Sequence, residues 1–205
     1  MRNRKKAKKA DNYGILICMN NGPVERGLYT WEIQEARLVF GNGLVYEQVR
    51  IHEGASWTNA LNRWGARLKR IPYVKVDNAV TLGNHIYFPV RMPEQLFFDE
   101  PGLSRMAWLI HEMTHAWQYQ QMGWRYLALA LAAQFRYGAQ AYEFGGEAGL
   151  LDFSGRGQRL TSFNLEQQGD IARSYYLRIC SQQNTHAWQP YIADLQRGRQ
   201  PVQYG

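Results

Sequence analysis

Residues 109–120 read LIHEMTHAWQYQ, and everything else in the chain is best placed around them. Apolar residues at 106, 110, 113 and 117 recur at i, i+4, i+7 and i+11, one stripe of an amphipathic helix, so the spacing predicts a helix over 104–121. On that helix His111 and His115 stand one turn apart on a single face, the HExxH pattern. One turn rises about 5.4 Å, which lets both imidazoles converge on one Zn²⁺ at about 2.0–2.1 Å from each nitrogen. Glu112 sits beside the first of them and is not itself expected to bind metal. Its carboxylate is placed to take the proton of an attacking water as a general base. The bland alternative makes His111 and His115 two ordinary helix histidines.

A catalytic zinc takes three protein ligands and leaves one position open, so a third ligand has to come from elsewhere. Asn164, with Gln167 three residues later, predicts a second helix running to about Ser181. Glu166 lies in its first turn and Asp170 follows one turn later on the same face. Glu166 is therefore the candidate third ligand, and Asp170 the candidate acceptor that fixes the tautomer of a ligand histidine. Glu143 and Glu147 compete for the role from YEFGGEAG (142–149), a glycine-broken stretch that would hold a ligand less rigidly. Taken alone, Glu166 and Asp170 are also what a helix dipole favours in a first turn. His52-Glu53 is no second motif, because position 56 is Ser, and His85 and His186 read as surface or hydrogen-bonded residues. Arg173, Tyr175 and Tyr176 read as packing residues, with an Asp170–Arg173 ion pair expected.

Working outward, Thr30 before Trp31-Glu32 is a plausible cap for a short helix over 31–40 that ends at Gly41. Branched and aromatic residues at 46, 49 and 51, then YVKV (73–76), NAVTLG (78–83) and HIYFPV (85–90), predict strands of a small sheet, with a helix over 57–69 between them. Beyond Gly123 a further helix is expected over 124–141. Gly145 to Gly157 holds five of the 19 glycines and reads as a loop. Strands first and helices after give an α+β fold, with the sheet in the N-terminal half packed on the HExxH helix and further helices behind it.

A hydrophobic content of 45% over 205 residues suffices for one core. The expected organisation is a basic disordered tail over 1–10 and a single domain over 11–205. The formal charge of +7 invites a nucleic-acid reading, but its position argues against one. Arg2, Arg4, Lys5, Lys6, Lys8 and Lys9 all fall in the tail, which holds no acid, so the folded remainder is close to neutral and implies no phosphate-tracking groove. The apolar run Ile15–Met19 is too short for a secretory signal, and Leu127–Ala133 is far short of the roughly 20 residues of a membrane span. Cys18 and Cys180 cannot make a disulfide framework; buried free thiols are expected, with one bridge between them as the alternative.

Four stretches together, LIHEMTHAWQYQ (109–120), TLGNHIYF (81–88), TWEIQEARLVFGNGLVYEQVRIHEG (30–54) and FNLEQQGDIARSYY (163–176), resemble the zincin-type metallopeptidase domains of bacterial type VI secretion effectors, including the domain at the C-terminus of some VgrG spike proteins. The helix motif is common to many zincins, whereas its combination with EQQGD and TLGNHIYF is more specific. The lysine-rich start and residues 124–137 have no counterpart in the likeness. What the resemblance implies is a zincin-like fold, His111, His115 and Glu166 as zinc ligands, and Glu112 as catalytic base. It further implies synthesis in the cytoplasm without a signal peptide and delivery to the periplasm of a target bacterium. A peptide or protein substrate, peptidoglycan cross-bridges included, a cognate immunity protein and a VgrG-like spike partner belong to the same expectation. The competing reading is a binding or delivery module whose zinc is structural; a fourth protein ligand such as His85 or Glu147 would mark it. A third, nucleic-acid binding through residues 2–9, rests on the tail alone.

Overall fold

Ile51 and Glu53 on one strand, and Ile86 and Phe88 on another, are buried while their neighbours face outward, the period of two that a half-covered sheet imposes. The computed structural model describes residues 23–68, 77–95, 99–126 and 143–198. In chain order it contains β1 (Val24–Arg26), α1 (Thr30–Phe40), β2 (Arg50–Glu53), α2 (Trp57–Leu68), β3 (Val80–Leu82), β4 (His85–Phe88), α3 (Glu100–Met122), α4 (Gly146–Gly155), α5 (Leu165–Cys180) and α6 (Gln189–Arg197). The strands form one sheet in the order β1-β2-β4-β3. β1 and β2 are antiparallel, β2 and β4 parallel with Ile51 beside Ile86, and β3 and β4 an antiparallel hairpin with Thr81 beside Ile86. The parallel pair requires a long connection, and α2 lies within it. This is the α+β arrangement expected.

α3 starts where Asp99 accepts a hydrogen bond from the Gly102 N–H at 2.9 Å, with Pro101 in the first turn, and ends at Gly123, whose φ of 63° only glycine adopts without strain. Its apolar stripe, Met106, Ile110 and Met113, is fully buried together with Leu109 and Ala116. α5 opens with the expected reciprocal cap: the Gln167 N–H donates to Asn164 Oδ1 at 2.9 Å, and the Asn164 N–H to Gln167 Oε1 at 3.0 Å. α3 packs most extensively against α5, and the core continues through Ile51, Ile86 and Phe88 on the sheet, Val39 and Phe40 on α1, and Trp188, Tyr191 and Leu195 around α6. The long central helix thus packs against β3 and β4 of the sheet, where Phe88 meets Trp108 and Thr81 meets Glu112, and presents another flank to α5.

Several expectations need correction. Residues 145–157 are mainly helical, not a loop: α4 buries Leu150, and Phe153 stacks on Phe163 at 4.7 Å. Tertiary packing of these apolar groups outweighs the roughly 1 kcal/mol that each helical glycine costs. Gly149 is moreover required, since a Cβ there would lie 2.6 Å from the Phe144 carbonyl oxygen. Thr30 is not the cap of α1 but its first residue; the preceding Tyr29 donates its N–H to Glu32 Oε2 at 2.7 Å. Tyr46 belongs to a 3₁₀ turn rather than a strand. β1 was not anticipated. Its Arg26 binds the fully buried Glu32 on α1 at 2.7 Å and Glu53 on β2 at 2.8 Å, so two buried carboxylates share one guanidinium. Cys180 is a half-buried free thiol. The tail over 1–10, Cys18, YVKV (73–76) and the helix expected over 124–141, apart from its first three residues, lie outside the described residues. Among the described residues no helix is long and apolar enough to cross a membrane.

Candidate metal centre

His111 and His115 project from α3 toward the first turn of α5, where Glu166 meets them. His111 Nε2 lies 3.4 Å and His115 Nε2 3.5 Å from the same Glu166 oxygen, Oε2. One ligand atom from each of the three residues falls within 4.8 Å of the others, so the group can hold a metal ion. The imidazole rings stand at 75° with centroids 5.1 Å apart. Each residue retains a sliver of exposed surface, 6% to 8%, as does Glu112. The helix spacing sets the two histidines, and the capped start of α5 sets the carboxylate.

The far side of each ring is also occupied. His111 Nδ1 lies 3.1 Å from Asp170 Oδ1, and His115 Nδ1 lies 2.9 Å from Gln118 Oε1. A carboxylate oxygen and an amide oxygen are acceptors, so in both rings Nδ1 carries the hydrogen and Nε2 is directed at Glu166. This is the donor set of a three-ligand nitrogen and oxygen site. The electrostatics fit a cation as well. Burial works against the charged form of His111, yet hydrogen bonds to Asp170 and Glu166 and the charges of Glu112 and Asp170 outweigh it and raise the group to about 10. His115 is raised too, burial being outweighed mainly by Glu166. Burial pushes Glu166 up, but the two imidazoles hold it far below the usual carboxylate range. Three acids surround two imidazoles, and the cluster calls for positive charge at its centre, which a divalent ion supplies.

Gly169 makes the close packing of α5 on α3 possible. A Cβ at that position would lie 2.8 Å from His111 Cε1 and Nδ1 and 3.0 Å from Nε2. Glu112 is fixed from the sheet: the Thr81 hydroxyl donates to Glu112 Oε2 at 2.7 Å. Thr81 is in turn held by Tyr126, whose hydroxyl donates to the Thr81 carbonyl at 2.7 Å and accepts from the Gly83 N–H at 3.0 Å. The β3–β4 hairpin and Tyr126, just beyond the end of α3, therefore hold the acid beside the two histidines.

The other residues weighed from the sequence lie apart from this cluster. Glu147 is exposed and pairs with Arg178 at 2.8 Å, and Glu143 is exposed. His52 Nε2 and His85 Nδ1 meet each other at 2.8 Å on the outer face of the sheet, and His186 is exposed. Asp170 and Arg173 stand 3.9 Å apart, a marginal ion pair, while Tyr176 is buried and donates to Glu35 at 2.8 Å. Thr81, Gln118, Gln168 and Gly169 were not singled out in the sequence. They lie within the quoted stretches TLGNHIYF, LIHEMTHAWQYQ and EQQGD, but no role could be read for them there, because only the packing of α3 on α5 and the hairpin brings them to the histidines.

No family model matches the sequence. The type VI secretion system spike protein VgrG2b of Pseudomonas aeruginosa is 32% identical over 167 residues, which are 80% of this chain and 14% of that protein. The chain thus spans a small part of that relative's length. The solved structure of the effector domain of P. aeruginosa VgrG2b superimposes with a TM-score of 0.52 at 30% identity, covering 79% of each chain.

Proposed function

This chain belongs to the family of the VgrG2b effector domain, and on that premise we propose that it is a zinc-dependent metallopeptidase of the zincin type, an antibacterial type VI secretion effector acting in the envelope of a target cell. The observation that carries the reading is the approach of two Nε2 atoms, one helical turn apart, to a single oxygen of Glu166 on a separate helix. Three nitrogen and oxygen ligands are what a catalytic zinc takes. Among the described residues the group counts three, and the two residues weighed as a fourth ligand, His85 and Glu147, are engaged with His52 and Arg178. That pattern favours hydrolysis over a purely structural zinc.

His111, His115 and Glu166 hold the ion, and Asp170 and Gln118 orient the rings. A zinc ion there supplies Lewis-acid polarisation of the scissile carbonyl and a lowered pKa for water. Glu112 accepts the water's proton and delivers it to the leaving amine nitrogen, the step that general base and acid catalysis requires at neutral pH. Its Oε2 is tied to Thr81, so Oε1 is the atom free to receive the proton. The substrate is a peptide bond in an envelope protein or peptide, peptidoglycan cross-bridges included. A cognate immunity protein in the producing cell and a spike protein as carrier complete the proposal.

Elemental analysis together with hydrolysis of an unstructured protein substrate tests it. Wild type is expected to bind one zinc per chain, His111→Ala to lose it, and Glu112→Gln to keep zinc while turnover falls about 10²- to 10⁴-fold. A wild-type chain that takes no zinc, or a Glu112→Gln variant as active as wild type, defeats the proposal.

A further inference from the structure

We infer that Gln118 and Gln168 form a buried amide relay that presets the metal centre, holding His115 in its metal-binding tautomer and fixing the spacing between the two ligand helices; the inference rests on the zinc reading above. Gln118 is fully buried and Gln168 is 6% exposed, an unusual depth for two neutral amides that neither bind metal nor reach substrate. Every polar atom of the pair is nonetheless used. Gln118 Nε2 donates to the Leu165 carbonyl at 2.9 Å and to Gln168 Oε1 at 3.0 Å. Gln168 Nε2 donates to the Phe163 carbonyl at 3.0 Å and the Leu160 carbonyl at 3.3 Å.

The direction of the relay is forced. Backbone carbonyls accept and never donate, so the NH₂ group of Gln168 must face Leu160 and Phe163. Its oxygen then faces Gln118, whose NH₂ group must point at that oxygen and at Leu165. The oxygen of Gln118 is left facing His115, where the only compatible partner is an Nδ1–H. The proton on His115 Nδ1 is thereby specified by two carbonyls of the segment leading into α5 and one of its first residue, Leu165, and Nε2 is kept for the ion.

The relay also measures a distance. Gln118 lies three residues beyond His115 on α3, and its other arm grips the carbonyl of Leu165, the residue before Glu166. One side chain thus touches a ligand ring on one helix and the backbone next to a ligand carboxylate on the other. Gln168 extends the grip to the 3₁₀ turn at Leu160–Ser162. Both are positioning residues, since they act through His115 and Glu166 and touch no reacting atom. Losing the relay leaves His115 free to place its hydrogen on Nε2, where it would block the ion.

Zinc affinity measured by competition with a chelating indicator, and the His115 imidazole N–H signal in ¹H–¹⁵N NMR, test this on the full chain. Gln118→Met should raise the zinc Kd about 10- to 100-fold and remove the protected Nδ1–H signal. Gln168→Met should weaken zinc less and keep that signal, and Gln118→Glu, which retains an oxygen opposite Nδ1, should recover part of the lost affinity. Should Gln118→Met fail to fold, the other two variants carry the test. A folded Gln118→Met that binds zinc like wild type, equal losses in Gln118→Met and Gln118→Glu, or a wild-type His115 protonated on Nε2 instead of Nδ1, overturns the relay. A wild-type chain without zinc affinity would refute the metal reading, and loss or survival of the exchange-protected Nδ1–H signal on going from wild type to Gln118→Met, both zinc-free, would still decide whether the relay exists.

Discussion

Replacing Gly169 by alanine adds one methyl group where the packing of α5 on His111 leaves no room. The new Cβ would sit 2.8 Å from two atoms of the ring, about 0.7 Å inside the ~3.5 Å at which carbon contacts become favourable. Two opposing terms decide stability. Alanine for glycine inside a helix gains about 0.5–1 kcal/mol, while overpacking costs about 1–3 kcal/mol, so the metal-free chain should be destabilised by roughly 1 kcal/mol. The effect on the metal is larger, because ligand distances tolerate about 0.2 Å and either the ring or the whole first turn of α5 with Glu166 must retreat by several times that. Zinc competition titration is the assay, with thermal melts of the metal-free chain alongside. Zinc affinity should fall by at least about tenfold while the melt changes little. Gly155→Ala, at the end of α4 where no atom lies within 4 Å, is the control and should bind zinc like wild type. A Gly169→Ala chain with wild-type zinc affinity would show that the ring does not sit where the ion requires it, and the argument would fail.

Two further substitutions probe the surroundings of the centre. Asp170→Asn keeps an acceptor for His111 Nδ1–H but removes its charge, so zinc affinity should drop about tenfold and Asp170→Ala should drop it further; equilibrium dialysis against buffered zinc checks both, and unchanged affinity in the alanine variant would remove Asp170 from the site. Thr81→Val deletes the hydroxyl bound to Glu112, a hydrogen bond to a charged group worth about 1.5–3 kcal/mol, and should lower kcat by roughly 10- to 100-fold with zinc content unchanged. Steady-state kinetics with metal analysis would read it, and a wild-type kcat would mean that Glu112 does not need the hairpin.

α3 was legible because its stripe and its two histidines obey one period, and α5 because Asn164 and Gln167 form a local cap that needs no tertiary context. β3 and β4 announced themselves through branched and aromatic residues between turn formers. β1 did not, since Val24–Arg26 is three residues long and owes its place to Arg26 reaching Glu32 and Glu53. α4 was missed because glycines suggest a break, whereas Leu150 and Phe153 gain more by burial than the glycines cost. At the candidate centre, the grouping of His111, His115 and Glu166 followed from residue type and spacing. The residues that orient them did not, because a glutamine at 118 or 168 looks like any polar helix residue until its helix is packed, and Gly169 looks like a weak point until a ring is found against it.

The division of the centre between α3 and α5 has a bearing on when the chain can act. A segment carrying only HExxH offers a pair of imidazoles, a weak chelate with nothing to define its geometry, and the carboxylate arrives only when the far helix has docked. If the centre is catalytic as proposed, competence and native tertiary structure are therefore acquired together. On the proposed zinc reading the nascent or partly unravelled chain is inert, an ion taken up there would add its binding energy to the last stage of maturation, and chelation would inactivate and loosen the protein in the same act.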